Sequence, residues 1–316
     1  MQYQLRKLQS SGKPLQANEN YCSDFVRKYD YEGHLCTLLL KGPGVRRATI
    51  AVRAFNLEQA HVRETVSSAM VGQMRYQFWL DALKAVYRDH EKPSSSKLPL
   101  YATKVPQQPV AQELERAVQT CRLSRKYLET MISARASLVD EKPFPTLESM
   151  ESYCEGAFST VICLILEVIA SQNSGNDRLS DIAYSAARHT GIALGLTNIL
   201  RGLPFHVRRY HVFLPDDIMD ANNISRVEIL RGNRSDAIHK CVRVVADCAT
   251  VHLEDARRLK SQVDARLRQA LLPCCIAEHY LRRFEKNGYD MFDGRLGVKD
   301  GRLPFALLRK KLMLGY

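Results

Sequence analysis

Apolar residues recur at intervals of three and four positions along nearly the whole chain from Asn20 onward, which is the spacing of one face of a helix. The alternation of apolar and polar residues that would indicate strands is hard to find. The pattern therefore predicts an all-α fold. The predicted helices cover residues 18–29, 31–40, 44–66, 69–88, 108–120, 124–138, 146–170, 178–203, 235–262, 265–286 and 304–314.

Three stretches interrupt the helical pattern. Residues 92–109 are rich in Pro and Ser, residues 214–223 combine a proline with aspartates, and residues 287–302 are rich in Gly and Asp, so each predicts a loop. We expect a flexible N-terminal segment, residues 1–17, followed by a single domain over residues 18–316. The N-terminal segment has basic residues and no acidic ones, as in the remnant of a mitochondrial presequence.

The composition, with 45% hydrophobic and 25% charged residues, is that of a globular protein with a sizeable core. A formal net charge of +12 favours an acidic partner, but the basic residues form short pairs without a nucleic-acid-binding motif. We therefore expect no nucleic-acid partner.

The most apolar run, residues 156–170, is shorter than the ~18 residues of a membrane span and predicts a buried helix.

Nine cysteines are scattered from Cys22 to Cys275, and none of them forms a CxxC pair. No Cys and His residues stand at the spacing of a zinc motif. The cysteines are therefore expected to be reduced thiols, which suits the cytosol or the mitochondrial matrix. Neither a metal site nor a cofactor is expected.

Residues 186–201, AARHTGIALGLTNILR, form the most distinctive motif in the chain. Small residues in this segment would allow a helix to approach its neighbours closely. The motif resembles the signature helix of the squalene/phytoene synthase family, and Phe213-Leu214-Pro215 follows at the spacing found in that family. The resemblance covers about residues 20–285 and implies a helical bundle like that of the isoprenoid synthases.

In the enzymes of this family, two facing helices each carry Asp-x-x-x-Asp. Residues four apart share a helix face, so the two pairs converge on one cleft and hold Mg²⁺ with diphosphate oxygens. The metal then stabilises the leaving diphosphate. Alignment of the family pattern with this sequence makes the first pair Ala60 and Glu64 and the second pair Gly202 and His206. A shift of the first helix by one turn would make the first pair Asn56 and Ala60 instead, which restores no aspartate.

Only Glu64 retains a carboxylate among these four positions, and an imidazole at His206 is a poor ligand for magnesium. Pro204 stands inside the second motif, where we expect it to reshape the end of the helix. A different metal site built from Glu64, His61 and His206 is weakly supported, because these residues have no fixed spacing. The resemblance therefore implies a degenerate active site without a catalytic residue.

The resemblance also implies which polar residues lie near the cleft or contact an anion. Arg208 and Arg209 either contact a phosphate or form a solvated helix end, and Asn198 either lines the cleft or makes a hydrogen bond within the bundle. The complete set of these candidates is Arg75, Tyr153, Asn198, Arg208 and Arg209.

Further clusters, among them residues 30–33, 53–56 and 77–79, resemble the non-catalytic branch of the family. That branch implies a mitochondrial protein acting early in the assembly of respiratory complex I, at the matrix face of the inner membrane. Its partners would be complex I subunits or other assembly factors, with peripheral contact to inner-membrane lipid. The alternative is a magnesium-dependent prenyl transferase of the same family, which the missing aspartates disfavour.

The C-terminal residues 304–316 are predicted to form a helix with Phe305, Leu308 and Leu312 on one face. The basic residues Arg309, Lys310 and Lys311 stand beside this face. Such a helix either packs against the bundle or rests on an anionic membrane surface.

Overall fold

The computed structural model describes residues 2–66, 68–87, 104–139, 144–172 and 179–313, and for residues 2–15 it describes the backbone only. This part of the chain contains helices and no strand, which confirms the all-α prediction. The α-helices are α1 (Gln2–Tyr29), α2 (Tyr31–Leu38), α3 (Pro43–Thr65), α4 (Ala69–Val86), α5 (Pro109–Cys121), α6 (Arg125–Ala136), α7 (Leu147–Cys154), α8 (Thr160–Ala170), α9 (Asp181–Val207), α10 (Asp216–Ala221), α11 (Arg226–Leu230), α12 (Asp236–Lys260), α13 (Cys274–Lys286) and α14 (Leu303–Leu312).

The helix boundaries differ from the prediction at several places. Helix α1 begins at Gln2, well before residue 18, and helix α10 lies where a loop was predicted. The helix predicted over residues 265–286 is two elements, a 3₁₀ helix (Leu267–Leu271) and α13. Most of the predicted loop over residues 92–109 lies outside the described residues. The division into an N-terminal segment and one domain stays a prediction.

Pro204 does not end helix α9, contrary to the expectation that it reshapes this end. The helix continues to Val207, and the N–H of Arg208 donates to the carbonyl of Pro204 over 3.3 Å. A proline inside a helix costs about 3 kcal/mol, because a hydrogen bond is lost and the ring crowds the preceding turn. Leu200 and Leu203 are fully buried on the same stretch, and their burial offsets that cost.

Helices α7 and α8 are joined by a π-helical segment (Glu155–Ser159) into one long rod. By length and composition alone this rod could cross a membrane, but 78% of its most apolar stretch is buried inside the fold. Its one buried acid, Glu167, accepts hydrogen bonds from the hydroxyl and the N–H of Ser124. The rod is therefore a core helix, as the sequence predicted.

Helix α9 runs through the centre of the bundle and approaches the π-helical segment closely. A Cβ atom at Gly191 would lie 2.2 Å from the Cα of Ser159, and one at Gly195 would lie 2.8 Å from the Cβ of Cys154. The small residues of the motif therefore set the distance between α9 and the rod, at the end of α7 and in the π-helical segment, as expected from the sequence.

Candidate functional site

A cavity of about 140 Å³ lies at the place where the two motif helices, α3 and α9, face each other beside α6 and α7. One wall is apolar and carries aromatic rings, among them Phe144, Phe158 and Phe213. The polar side of the cavity carries charged and hydrogen-bonding groups. The complete lining is Ala60, Arg63, Glu64, Arg135, Leu138, Phe144, Tyr153, Phe158, Asn198, Ile199, His206 and Phe213.

Three of the four motif positions inferred from the sequence line this cavity. Ala60 and Glu64 line it from α3, and His206 lines it from α9. Gly202 lies one turn before His206 and is not part of the lining, although a Cβ atom at Gly202 would lie 3.3 Å from Nε2 of His206. Tyr153, from α7, also lines the cavity, as the resemblance implied.

Asn198 completes the set of candidates that the cavity brings together. The other three candidates, all arginines, do not line it. Arg75 is exposed and donates a hydrogen bond to Oγ1 of Thr65 over 2.9 Å. Arg208 and Arg209 are exposed at the end of α9, and the guanidinium of Arg209 lies 4.0 Å from the ring centre of Phe205. Their contact with an anion stays a prediction.

Two arginines that sequence reasoning did not select line the cavity instead. The guanidinium of Arg63 lies 4.5 Å from the ring centre of Phe213. Arg135, on α6, donates a hydrogen bond to the hydroxyl of Tyr153 over 2.7 Å and lies 5.0 Å from the ring centre of Phe158. Arg63 stands three positions after the first motif residue and shares its helix face, so the helical period could have identified it. No motif indicates Arg135.

The charge balance of the lining opposes a metal cation. Burial, together with the positive charge of Arg63, lowers the pKa of His206 to about 3, so its imidazole is neutral at physiological pH. The charged groups of the described lining are then the guanidiniums of Arg63 and Arg135 and the carboxylate of Glu64. Magnesium requires several oxygen ligands in near-octahedral geometry, and one exposed carboxylate beside two cations does not provide them.

The alternative metal set of Glu64, His61 and His206 is not brought together among the described residues. The ring of His61 packs edge-on against Tyr29, with ring centres 4.5 Å apart, and against Phe25. It does not line the cavity. The described lining therefore combines two guanidiniums and one carboxylate with an apolar wall, a set of groups that suits an anion with an apolar part.

Arg201, the last residue of the motif, has a structural role beside the cavity. Its Nη2 donates to Oε1 of Glu32 over 3.1 Å, the hydroxyl of Tyr280 donates to the same oxygen over 2.8 Å, and the guanidinium lies over the Tyr280 ring. Burial alone would raise the pKa of Glu32, but the charge of Arg201 and the hydrogen bond from Tyr280 hold it below its usual value. This network joins α2, α9 and α13.

Comparisons with known proteins support the family resemblance that the motif indicated. The squalene/phytoene synthase family model matches residues 26–302. The chain is 33% identical over 298 residues to NADH dehydrogenase (ubiquinone) complex I, assembly factor 6 of Rattus norvegicus, over 94% of this chain and 83% of the relative. It is 30% identical over 315 residues to the Drosophila melanogaster homolog of that factor, with 95% and 87% covered.

A solved dehydrosqualene synthase in complex with ligand has a similar structure, with a TM-score of 0.76 over 96% of this chain and 98% of that one. The two sequences are 18% identical, so this likeness concerns the fold alone. It confirms the predicted helical bundle of the isoprenoid-synthase type.

Proposed function

This chain belongs to the squalene/phytoene synthase family, and we propose that it uses the family's helical bundle as a non-enzymatic assembly factor for mitochondrial respiratory complex I. The two relatives named complex I assembly factor 6 that are described above support this role, because their similarity extends over 94% and 95% of the chain. Such a protein would bind complex I subunits or other assembly factors early in assembly.

The charge of the cavity is the observation that carries the proposal. Ala60, Gly202 and a neutral His206 stand where the enzymes have carboxylates, while Arg63 and Arg135 add positive charge. Ionisation of a prenyl diphosphate depends on a metal that stabilises the leaving group. One carboxylate beside two guanidiniums disfavours the binding of that metal, so the magnesium-dependent prenyl transferase is the weaker alternative.

In cells that lack this protein, the Glu64→Gln and His206→Ala variants are expected to restore complex I as well as the unmodified chain does. The reason is that neither side chain performs chemistry. Complex I abundance on native gels measures the rescue. Loss of rescue by either variant, with the protein still abundant, would contradict the proposal.

A matched control tests whether the rescue assay detects loss of the folded protein. Trp79 is 4% exposed and packs edge-on against Phe55, with ring centres 5.3 Å apart. Trp79→Ala is expected to cost about 3–5 kcal/mol and to fail in the rescue through low abundance. In parallel, the purified chain with Mg²⁺ and farnesyl or geranylgeranyl diphosphate should release no diphosphate above a no-protein control.

The exposed face of α14 is the feature through which we propose that the protein contacts the matrix face of the inner membrane. Leu303 and Leu307 are buried against the bundle, whereas Phe305 and Leu312 are 76% and 75% exposed. Leu308 and Arg309 are exposed as well and share the helix face of Phe305 and Leu312. An apolar face that carries a cation fits the surface of an anionic membrane, and we propose this contact as part of the assembly role.

Two of the basic residues predicted beside this face point toward the bundle instead. The amine of Lys310 lies 3.4 Å from Oε2 of Glu278, and the amine of Lys311 donates to Oε1 of Gln269 over 3.3 Å. The orientation of α14 about its own axis that buries Leu307 also directs Lys310 and Lys311 toward the bundle. The cation that faces outward with the apolar residues is Arg309.

Replacing Phe305 and Leu312 together by Ser is expected to lower the partition of the protein onto anionic phospholipid vesicles by at least about tenfold. Each large apolar side chain contributes about 1.5–3 kcal/mol when fully buried. Partial insertion of two such side chains therefore contributes more than the ~1.4 kcal/mol that corresponds to a tenfold change in partition. Flotation measures the bound fraction. As a control, Ser at Met70 and Met74, which are 75% and 67% exposed on α4, should leave flotation unchanged. Equal flotation of both double variants would contradict a role for α14.

A further inference from the structure

Five side chains from three helices form a polar cluster that does not line the cavity. Glu151 comes from α7 and His189 from α9, while Cys248, His252 and Asp255 come from α12. Cys248 and His252 are four residues apart, so the helical period places them on one face. The helices bring Glu151 and His252 together although they lie 101 positions apart in the chain.

One oxygen of Glu151 is the centre of the cluster. Oε1 lies 2.7 Å from Nε2 of His252 and 3.2 Å from Sγ of Cys248, and the three atoms all lie within 4.8 Å of one another. Ligand atoms around a tetrahedral zinc ion stand about 3.3–3.8 Å apart, given bond lengths of about 2.0–2.3 Å. Small rotations of these side chains would therefore place all three around one ion.

We propose that Glu151, Cys248 and His252 form a binding site for Zn²⁺. A thiolate, an imidazole and a carboxylate are a ligand set that suits zinc, whereas Mg²⁺ and Ca²⁺ prefer oxygen ligands alone. The side chains of His252 and Glu151 are 14% and 28% exposed, so an ion can enter from solvent and a water molecule can complete the tetrahedron.

His189 provides the outer hydrogen bond that zinc-bound histidines usually make. Its Nδ1 lies 2.9 Å from Nδ1 of His252 and 3.6 Å from a carboxylate oxygen of Asp255. At this distance one of the two Nδ1 atoms donates a hydrogen bond to the other. With Nε2 of His252 on the metal, Nδ1–H of the same ring donates to His189 and fixes the tautomer.

Cys248 distinguishes this site from the other thiols of the protein. The other eight cysteines are buried, whereas Cys248 is partly exposed. Burial and the adjacent Glu151 raise the pKa of the Cys248 thiol to about 12. Zn²⁺ would displace this proton when it binds, because the ligand is the thiolate. The bound ion would join α7 and α12 directly and so raise the melting temperature of the protein.

The test is a titration of the full-length chain with Co²⁺ after treatment with a chelator. We expect a thiolate-to-cobalt charge-transfer band that saturates at one equivalent and disappears when Zn²⁺ is added, while millimolar Mg²⁺ leaves it unchanged. Zn²⁺ should also raise Tm by a few degrees. Absence of a saturable band overturns the proposal.

Variants assign the ligands. Cys248→Ser should abolish the band, and His252→Gln and Glu151→Gln should each weaken zinc binding by more than about 100-fold. His189→Ala, which removes an outer hydrogen bond, should weaken it by about 10–100-fold. Glu254→Gln removes an exposed charge from the same helix and should leave the affinity unchanged.

Circular dichroism establishes that each variant is folded. Should Cys248→Ser fail to fold, His252→Gln and Glu151→Gln decide the result by themselves, because both conserve the size of the side chain. A band that persists in Cys248→Ser, or zinc affinity that is equal in His252→Gln and in the unmodified chain, overturns the site. The assembly role does not depend on this outcome.

Discussion

Replacing Glu113 by Ala is expected to lower the free energy of unfolding by about 3 kcal/mol. The side chain of Glu113 is 2% exposed, and its two oxygens accept hydrogen bonds from Nε and Nη2 of Arg47, each over 2.8 Å. The substitution leaves the guanidinium of Arg47 largely buried without this partner. Glu19 lies 2.7 Å from the same guanidinium and remains as a partner, although its side chain is 33% exposed. The expected loss is therefore near the lower end of the ~3–5 kcal/mol that is usual when one partner of a buried ion pair is removed.

Denaturant unfolding followed by circular dichroism measures this loss. Asp81→Ala removes an equally short ion pair, 2.8 Å from Lys84, whose two side chains are more than half exposed. This control should change the free energy of unfolding by less than about 1 kcal/mol. A double variant, Arg47→Met with Glu113→Leu, should recover most of the stability, because it removes both charges at once. Equal losses for Glu113→Ala and Asp81→Ala would refute the buried pair as a determinant of stability.

Gly191→Val is expected to destabilise the protein by about 3 kcal/mol or more and to reduce its soluble yield. A Cβ atom at this position would lie 2.2 Å from the Cα and 2.4 Å from the backbone nitrogen of Ser159. Main-chain atoms cannot rotate away, so α9 and the π-helical segment must separate. Their separation would also strain the hydrogen bond from the Ser159 hydroxyl to the carbonyl of Arg188. Overpacking of a core typically costs 1–3 kcal/mol, and this backbone contact is at the upper end.

Gly44→Ala is the matched control for this substitution. Nothing lies within 4 Å of a Cβ atom at Gly44, in the first turn of α3. Alanine there should raise the stability by up to about 1 kcal/mol, because it restricts the unfolded chain. Thermal unfolding should therefore give shifts of opposite sign for the two glycines. A small shift for Gly191→Val would mean that α9 and the π-helical segment do not require this close approach.

Much of the fold follows from local patterns in the sequence. The period of apolar residues identified the long helices, and Pro43 stands at the first position of α3, as proline does at many helix starts. The resemblance to the squalene/phytoene synthase family indicated that Ala60 and Glu64 meet His206 at one cavity. The small residues around Gly191 indicated a close helix approach, and the helical period placed Ala60 and Glu64 on one face of α3. Such features could be predicted because the helical period relates residues three and four positions apart without reference to the rest of the chain.

The tertiary structure decided what depends on where helices cross and how each is rotated. Arg135 reaches the cavity from α6, while Arg75 remains outside it, although no local pattern separates the two. The burial of Leu307 turns Lys310 inward, and the burial of Leu200 and Leu203 keeps α9 helical through its proline.

The proposed zinc ligands around Glu151 could not be predicted from the sequence for the same reason. Glu151 lies 97 and 101 positions from Cys248 and His252, and only the packing of α7 against α9 and α12 brings them within hydrogen-bonding distance. The helical period determines which residues share a face of one helix. The side chains that meet across two helices depend on the crossing point, which the burial of the entire core determines.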